Sequence, residues 1–342
     1  MIDPVELHSS TWTALQARRA QLPHALLLSG QRGLGKTELA REFVAGLLCE
    51  NPPADGRACG QCLACGWQAQ GNHPDFRLLQ PEAMAESEGG EGEEGKKKAS
   101  QQITIDQVRA LDEFLSVGTH RAGLRIVLVN PAEAMNRSTA NSLLKALEEP
   151  APGTLFLLIS NEPMRLLPTI RSRCQTMSIA QPPTAAAIAA LAGEGVGDAE
   201  EWLALASGSP MLALELARSG EAGWLATLRE QLAAGGGVDA LNAAAALERG
   251  LKETKGRAAL RAVVEWSLKW LVDLTLAQNG QPVRYFVGHA ATIGALAAGV
   301  PEIRLHRYYR RLLQCRREAE QPLNARLFLE ELFLNYRALF TH

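Results

Sequence analysis

The chain has almost no net charge: 35 Lys and Arg stand against 37 Asp and Glu, a formal balance of −2 over 342 residues. Near-neutrality removes any bulk electrostatic drive toward nucleic acid or an acidic lipid surface. Also missing are an apolar run long enough to span a bilayer and an N-terminal stretch patterned like a secretory signal. A cytoplasmic protein with no membrane partner is therefore expected. Cysteine is scarce, six in all, and in a reducing compartment these thiols do not make a disulfide framework. The length suffices for two or three domains, each with its own core.

Residues 30–37 read Gly30-Gln31-Arg32-Gly33-Leu34-Gly35-Lys36-Thr37, a complete phosphate-binding loop. His24 to Ser29 is an apolar strand leading into it, and Glu38 to Leu48 has helical spacing. Each position of the loop has a mechanical task. Gly30, Gly33 and Gly35 let the backbone wrap so that its amides face phosphate oxygens, Lys36 reaches the outer phosphates, and the Thr37 hydroxyl meets magnesium. The N-terminus of the following helix favours the anion. A site for ATP or ADP with Mg2+ is expected, but turnover does not follow from binding alone.

Turnover needs acids that this chain lacks. Nucleotide hydrolysis ordinarily uses an acidic pair at the end of a second apolar strand, one carboxylate for magnesium and one for water. The corresponding strand, Arg125 to Val129, runs into Asn130 and Pro131, which carry no charge. Glu133 lies a little further on, and its preferred role is to open the next helix, Glu133 to Glu148, through the helix dipole. Intrinsic ATPase activity is expected to be absent or very weak.

Four of the six thiols are crowded together. Cys49, Cys59, Cys62 and Cys65 form C-x9-C-x2-C-x2-C within seventeen residues. This spacing suits a closed tetrahedral site for structural Zn2+, a knuckle on the phosphate-binding domain. Cys174 and Cys315 stand apart and are not proposed as ligands. Residues 82–100 have almost no apolar content, with Glu86, Glu88, Glu91, Glu93 and Glu94 followed by Lys96 to Lys98. A disordered acidic surface loop is expected there. On either side, strands at 75–79, 125–129 and 154–160 alternate with helices at 105–117 and 133–148. That alternation predicts a parallel sheet with ligand at the carboxyl ends of its strands. Asn161 ends one of these strands, where proximity to a γ-phosphate and an ordinary turn explain it about equally well.

Ser172-Arg173-Cys174, "NSLLKALEEP" at 141–150 and "LFLLISNEP" at 155–163 join the phosphate-binding loop and the cysteine cluster in one pattern. With them the chain resembles the clamp-loader branch of the AAA+ ATPases, over at least residues 20–215. Within that branch the absent acids make it most similar to the delta-prime family of bacterial DNA polymerase III clamp loaders. The gamma and tau subunits share the cysteine module and the Ser-Arg-Cys motif but carry Asp-Glu where this chain has Asn130-Pro131. The resemblance implies that Arg173 is a trans-acting arginine finger, reaching the ATP of a neighbouring subunit, with Arg171 as a decoy two residues away. It implies gamma/tau and delta subunits as partners, and a sliding clamp and primed DNA engaged through the assembly. Two departures stand out. Gly208-Ser209-Pro210-Met211 offers Pro and Met where the family's second sensor carries Arg, and the family often has a degraded phosphate-binding loop where this one is intact.

The expected architecture is an α/β AAA+ domain over 1–181, with the zinc insertion at 49–65. A helical lid over 182–219 and an all-helical collar over 220–342 follow. The basic patch His306 to Arg311 is flanked by Leu305, Leu312 and Leu313 at helical spacing, which favours a packed helix with a basic outer face. Three functions remain open at this point: an arginine-donating subunit that does not hydrolyse ATP, a gamma-like ATPase using Glu133, and a DNA-binding module built on the zinc knuckle and basic helix.

Overall fold

The computed structural model describes residues 2–89, 100–120, 123–219, 222–253, 260–319, 321 and 323–341. The chain divides into two compact units, Met1–Pro183 and Thr184–His342.

The first unit is built, among its described residues, on five strands, of which the three central ones are buried on both faces and the two at the edges are partly exposed. The five are β1 (Ala25–Ser29), β2 (Phe76–Leu79), β3 (Arg125–Val129), β4 (Thr154–Ser160) and β5 (Gln175–Ser178). They form one parallel sheet in the order β2-β3-β4-β1-β5. Alternation along each strand divides the core in two. Leu26, Leu28, Ile126, Leu128, Leu157 and Ile159 pack with Leu39, Phe43 and Val44 of the helix Lys36–Leu48. Leu27, Val127, Val129, Phe156 and Leu158 face the other way, against Val108, Leu111, Leu143, Leu147 and Ile170. Because β1 lies between β4 and β5, with Ser29 level with both Ser160 and Ser178, the chain leaving β1 emerges beside the ends of its neighbours.

Two local expectations change. The segment after β3 is not one helix from Glu133. Ala132–Ala134 is a single 3-10 turn, and the α-helix starts at Arg137, where the Asn136 side chain accepts the Thr139 amide at 2.9 Å. An Asn cap three residues beyond Glu133 outcompetes a dipole-favoured acid as the helix start. In the acidic stretch, Glu82–Gly89 is helical, and residues 90–99 lie outside the described residues. The start of this helix is tied down at its base: the Glu82 carboxylate accepts the Ser100 amide at 3.2 Å, and the Ala83 amide reaches the Ser100 carbonyl at 3.1 Å.

The second unit is helical among its described residues. The helices Thr184–Gly193, Ala199–Leu205 and Pro210–Arg218 share it with longer ones, including Leu260–Gln278, Glu302–Glu318 and Ala325–Arg337. Trp224, Trp270, Phe286, Phe333 and Tyr336 fill its core. The buried polar ends are paired: Trp270 Nε1 donates to the Tyr336 hydroxyl at 3.0 Å, which donates to the Leu232 carbonyl at 2.6 Å. Asp273, fully buried, accepts the amides of Arg284, Tyr285 and Phe286 and so fixes the loop that brings Phe286 onto Trp270. In Glu302–Glu318, Leu305, Tyr308, Leu312 and Cys315 face inward, while His306, Arg307 and Arg310 are exposed.

Candidate phosphate-binding and metal sites

The loop leaving β1 has the backbone its glycines predict. Gly33 and Gly35 take φ of 77° and 89°, left-handed values that favour glycine. At Gly30 the constraint is space, since a Cβ there would come within 2.8 Å of the Ile179 carbonyl oxygen. Leu34 is buried, and its carbonyl accepts from His8 Nε2 at 2.5 Å. Sequence reasoning missed His8. It reaches the loop from a segment 26 residues away in sequence, which linear spacing does not signal. Burial, opposed by the Leu34 bond and aided by the Lys36 charge, holds the His8 ring below its usual pKa.

Lys36 is only 3% exposed. Its Nζ donates to the Gln31 carbonyl at 2.6 Å and to Asn161 Oδ1 at 2.8 Å. Burial lowers its pKa to about 8, against the pull of Glu133 and Glu38. The Thr37 hydroxyl reaches Asn130 Oδ1 at 3.3 Å. An uncharged amide thus stands beside the hydroxyl expected to meet magnesium, at the strand end where a hydrolytic site has its carboxylate.

Glu133 sits differently from its expected helix-opening role. One carboxylate oxygen accepts from Asn161 twice, from the backbone amide at 2.9 Å and from Nδ2 at 3.0 Å. The other is buried with no hydrogen-bond partner. A chain of contacts therefore runs Glu133–Asn161–Lys36 across the ends of β3, β4 and β1. Linear spacing could not reveal it, because sheet order rather than sequence order brings these residues together.

Arg173 ends the short helix Pro168–Arg173. Its guanidinium pairs with Glu148 at 2.5 Å and donates to the Thr169 carbonyl at 3.0 Å, with a third of the side chain exposed. Glu148 belongs to the helix Arg137–Glu148, so the Leu-Glu-Glu-Pro segment holds the arginine as well as supplying core leucines. Arg171 points elsewhere, with Nη1 2.9 Å from Met164 Sδ.

The cysteines converge. The Sγ atoms of Cys49, Cys59, Cys62 and Cys65 all lie within 4.8 Å of one another. Cys49–Cys62 and Cys59–Cys65 are separated by 3.9 Å and Cys62–Cys65 by 3.4 Å. Sulfurs about 2.3 Å from a tetrahedral zinc stand roughly 3.8 Å apart, so the donor set fits that ion. Backbone amides already serve the sulfurs: Cys59 N donates to Cys49 Sγ at 3.2 Å, and Cys65 N to Cys62 Sγ at 3.4 Å. The cluster is pinned to the phosphate-binding domain by close backbone contact. A Cβ on Gly46 would come within 2.1 Å of the Gly56 carbonyl oxygen. Trp12 Nε1 also donates to the Asp55 carbonyl at 2.9 Å.

Two family models match the chain. One, described as DNA polymerase III, delta subunit, spans residues 8–183, and one described as its C-terminal part spans 227–337. The chain belongs to the DNA polymerase III delta-subunit family. It is 43% identical over 220 residues to the delta' subunit of Pseudomonas aeruginosa, covering 63% of this chain and 62% of that protein. The Escherichia coli delta' subunit is 35% identical over 196 residues, 56% of this chain and 54% of that one. A tau subunit of Bacillus subtilis matches more weakly, at 30% identity over 152 residues, 44% of this chain and 24% of that protein. The alignments to the two delta' subunits thus span 54% and 62% of those proteins' length. Among solved structures, a DNA polymerase III gamma subunit-related protein from Thermotoga maritima superimposes with a TM-score of 0.52 at 17% identity, covering 96% of this chain and 99% of that one. The fold read from sequence is therefore the fold observed: a parallel-sheet AAA+ domain carrying a four-cysteine cluster, followed by helices. No helix among the described residues is long and apolar enough to cross a membrane.

Proposed function

We propose that this chain is the delta'-type subunit of a DNA polymerase III clamp loader. In this reading it assembles with gamma/tau and delta subunits in the cytoplasm and helps place a sliding clamp on primed DNA. It does not hydrolyse ATP itself but donates Arg173 to the ATP site of a neighbouring subunit. One observation carries this reading: at the end of β3 the Thr37 hydroxyl meets the amide of Asn130, not a carboxylate. A phosphate-binding loop without that acid can hold nucleotide but lacks the charge that fixes magnesium for hydrolysis.

Arg173 is suited to the donor role because Glu148 and Thr169 orient it while part of the guanidinium stays accessible. An arginine supplied in trans to a developing γ-phosphoryl charge contributes roughly 10³–10⁵ in rate. The fit of Cys49, Cys59, Cys62 and Cys65 to tetrahedral geometry supports a structural Zn2+ bound by all four thiolates. Gly30, Gly33, Gly35, Lys36 and Thr37 would hold ADP or ATP with Mg2+. Residues 1–181 act as the AAA+ domain, 182–219 as a lid and 220–342 as the collar that assembles the ring.

A second reading, an active gamma/tau-like ATPase, is favoured by the half-buried Glu133 carboxylate, which reaches the loop lysine through Asn161. The two are separated by measuring magnesium-dependent ATP hydrolysis of the isolated chain and of a reconstituted loader containing Arg173→Ala. Robust turnover by the isolated chain supports the second reading. Loss of turnover only in the loader with Arg173→Ala supports the first.

A further inference from the structure

The contacts of Asn161 determine which face of its side chain the phosphate-binding loop meets. Lys36 Nζ carries only donors, so the Asn161 atom 2.8 Å away is its oxygen. The Glu133 carboxylate carries only acceptors, so the atom 3.0 Å from it is the Asn161 nitrogen. Flipping the amide would set NH2 against ammonium and oxygen against carboxylate, two repulsions in place of two bonds. The second Glu133 bond, from the Asn161 backbone amide at 2.9 Å, holds the same carboxylate at the strand end. Its other oxygen is buried without a hydrogen-bond partner.

This orientation has a consequence for what the loop can bind. Lys36 meets the outer phosphates of a nucleotide, and Asn161 Oδ1 now occupies one of the positions on its Nζ that a phosphate oxygen would take. An amide NH2 aimed at that place would donate to a terminal phosphate. Here the NH2 is turned back toward Glu133, and the group presented is an acceptor with a carboxylate behind it. The loop amides and Lys36 can still cradle a β-phosphate. A further phosphate would have to lie against an oxygen dipole and a nearby negative charge, with no carboxylate-bound metal at Asn130 to offset it.

We propose that this phosphate-binding loop is selective for a nucleoside diphosphate over the corresponding triphosphate, and that Glu133, acting through Asn161, sets the selectivity. The inference rests on the reading of Gly30 to Thr37 as a nucleotide site and deepens it. The site then holds a diphosphate as a static ligand, independent of the neighbour's ATP. Glu133 is a positioning residue: it contacts Asn161, not the nucleotide.

The test uses calorimetry on the full chain with Mg-ADP and with Mg-ATP bearing a β,γ-imido bridge, for the natural sequence and for Glu133→Gln. Gln keeps the size of Glu133 but removes its charge, and its amide can present NH2 so that Asn161 turns. The natural chain is expected to bind the diphosphate about tenfold tighter, the scale of one unsatisfied buried polar contact. Glu133→Gln is expected to bring the two affinities within about threefold, by strengthening the triphosphate analogue while leaving ADP little changed. Equal affinities in the natural chain overturn the selectivity and leave the nucleotide site standing. A preference for ADP that persists unchanged in Glu133→Gln overturns the role of Glu133. Failure of both nucleotides to bind overturns the nucleotide site and the inference with it.

Discussion

Removing the metal from the cysteine cluster should soften the first unit by an amount that follows from its chain geometry. The four ligands close a loop from Cys49 to Cys65, seventeen residues counting both ends. Cross-linking a loop of that size lowers the entropy of the unfolded chain enough to stabilise the fold by about 3 kcal/mol. A metal linking all four thiolates constrains the loop at least as much as one covalent bridge. For a unit of this size each 1 kcal/mol moves the melting temperature by roughly 2–4 °C, so stripping the metal should lower the first transition by about 6–12 °C. Cys62→Ser should do the same, because Cys62 both caps the helix Leu63–Ala69 and lies closest to Cys65. Differential scanning calorimetry with and without a chelator, paired with elemental analysis of the purified chain, gives both quantities. One zinc per chain and a downward shift of that size are expected. Zinc near zero, or a transition unmoved by complete stripping, would refute the reasoning.

Two further outcomes follow from buried charges. Burial lowers the Lys36 pKa in the folded chain to about 8 from the usual 10.5, so the unfolded chain binds more protons between those values and stability rises with pH across that window. Below about pH 8 the full cost of the buried ammonium is present, on the order of 3 kcal/mol for a shift of that size. Lys36→Met should therefore raise stability at pH 7 and flatten the rise between pH 8 and 10.5 in chemical unfolding curves; a variant less stable at pH 7 contradicts this. Asp273→Ala should destabilise the second unit by more than about 3 kcal/mol, since it strands the buried amides that Asp273 accepts. Urea unfolding should register the loss, and a change under about 1 kcal/mol would mean that the Arg284–Phe286 loop is held by other contacts.

The parts of this protein legible in the sequence are those specified by local pattern. The runs that became β1, β3 and β4 are continuously apolar except at their ends because both faces of a parallel sheet are covered. The glycines of the phosphate-binding loop and the paired C-x2-C steps are short-range constraints, and both fold as their spacing predicts. What spacing could not supply is which side chains meet across the sheet. Glu133 looked like a helix-opening acid because its partner, Asn161, lies 28 residues away and reaches it only through the pairing of β3 with β4. The cap at Asn136 was a signal within the sequence itself, and it explains why the helix begins beyond Glu133. Glu148 likewise read as the end of a core helix, whereas its carboxylate holds Arg173.

The most direct test of the central claim is the ATPase rate of a loader reconstituted from its partner subunits, stimulated by clamp and primed DNA, with the natural chain and with Arg173→Ala. Size-exclusion chromatography must first establish that both assemble equally. The account predicts a loss on the order of 10³-fold at the site that receives the arginine, with assembly unchanged. Turnover unaltered by Arg173→Ala would contradict it.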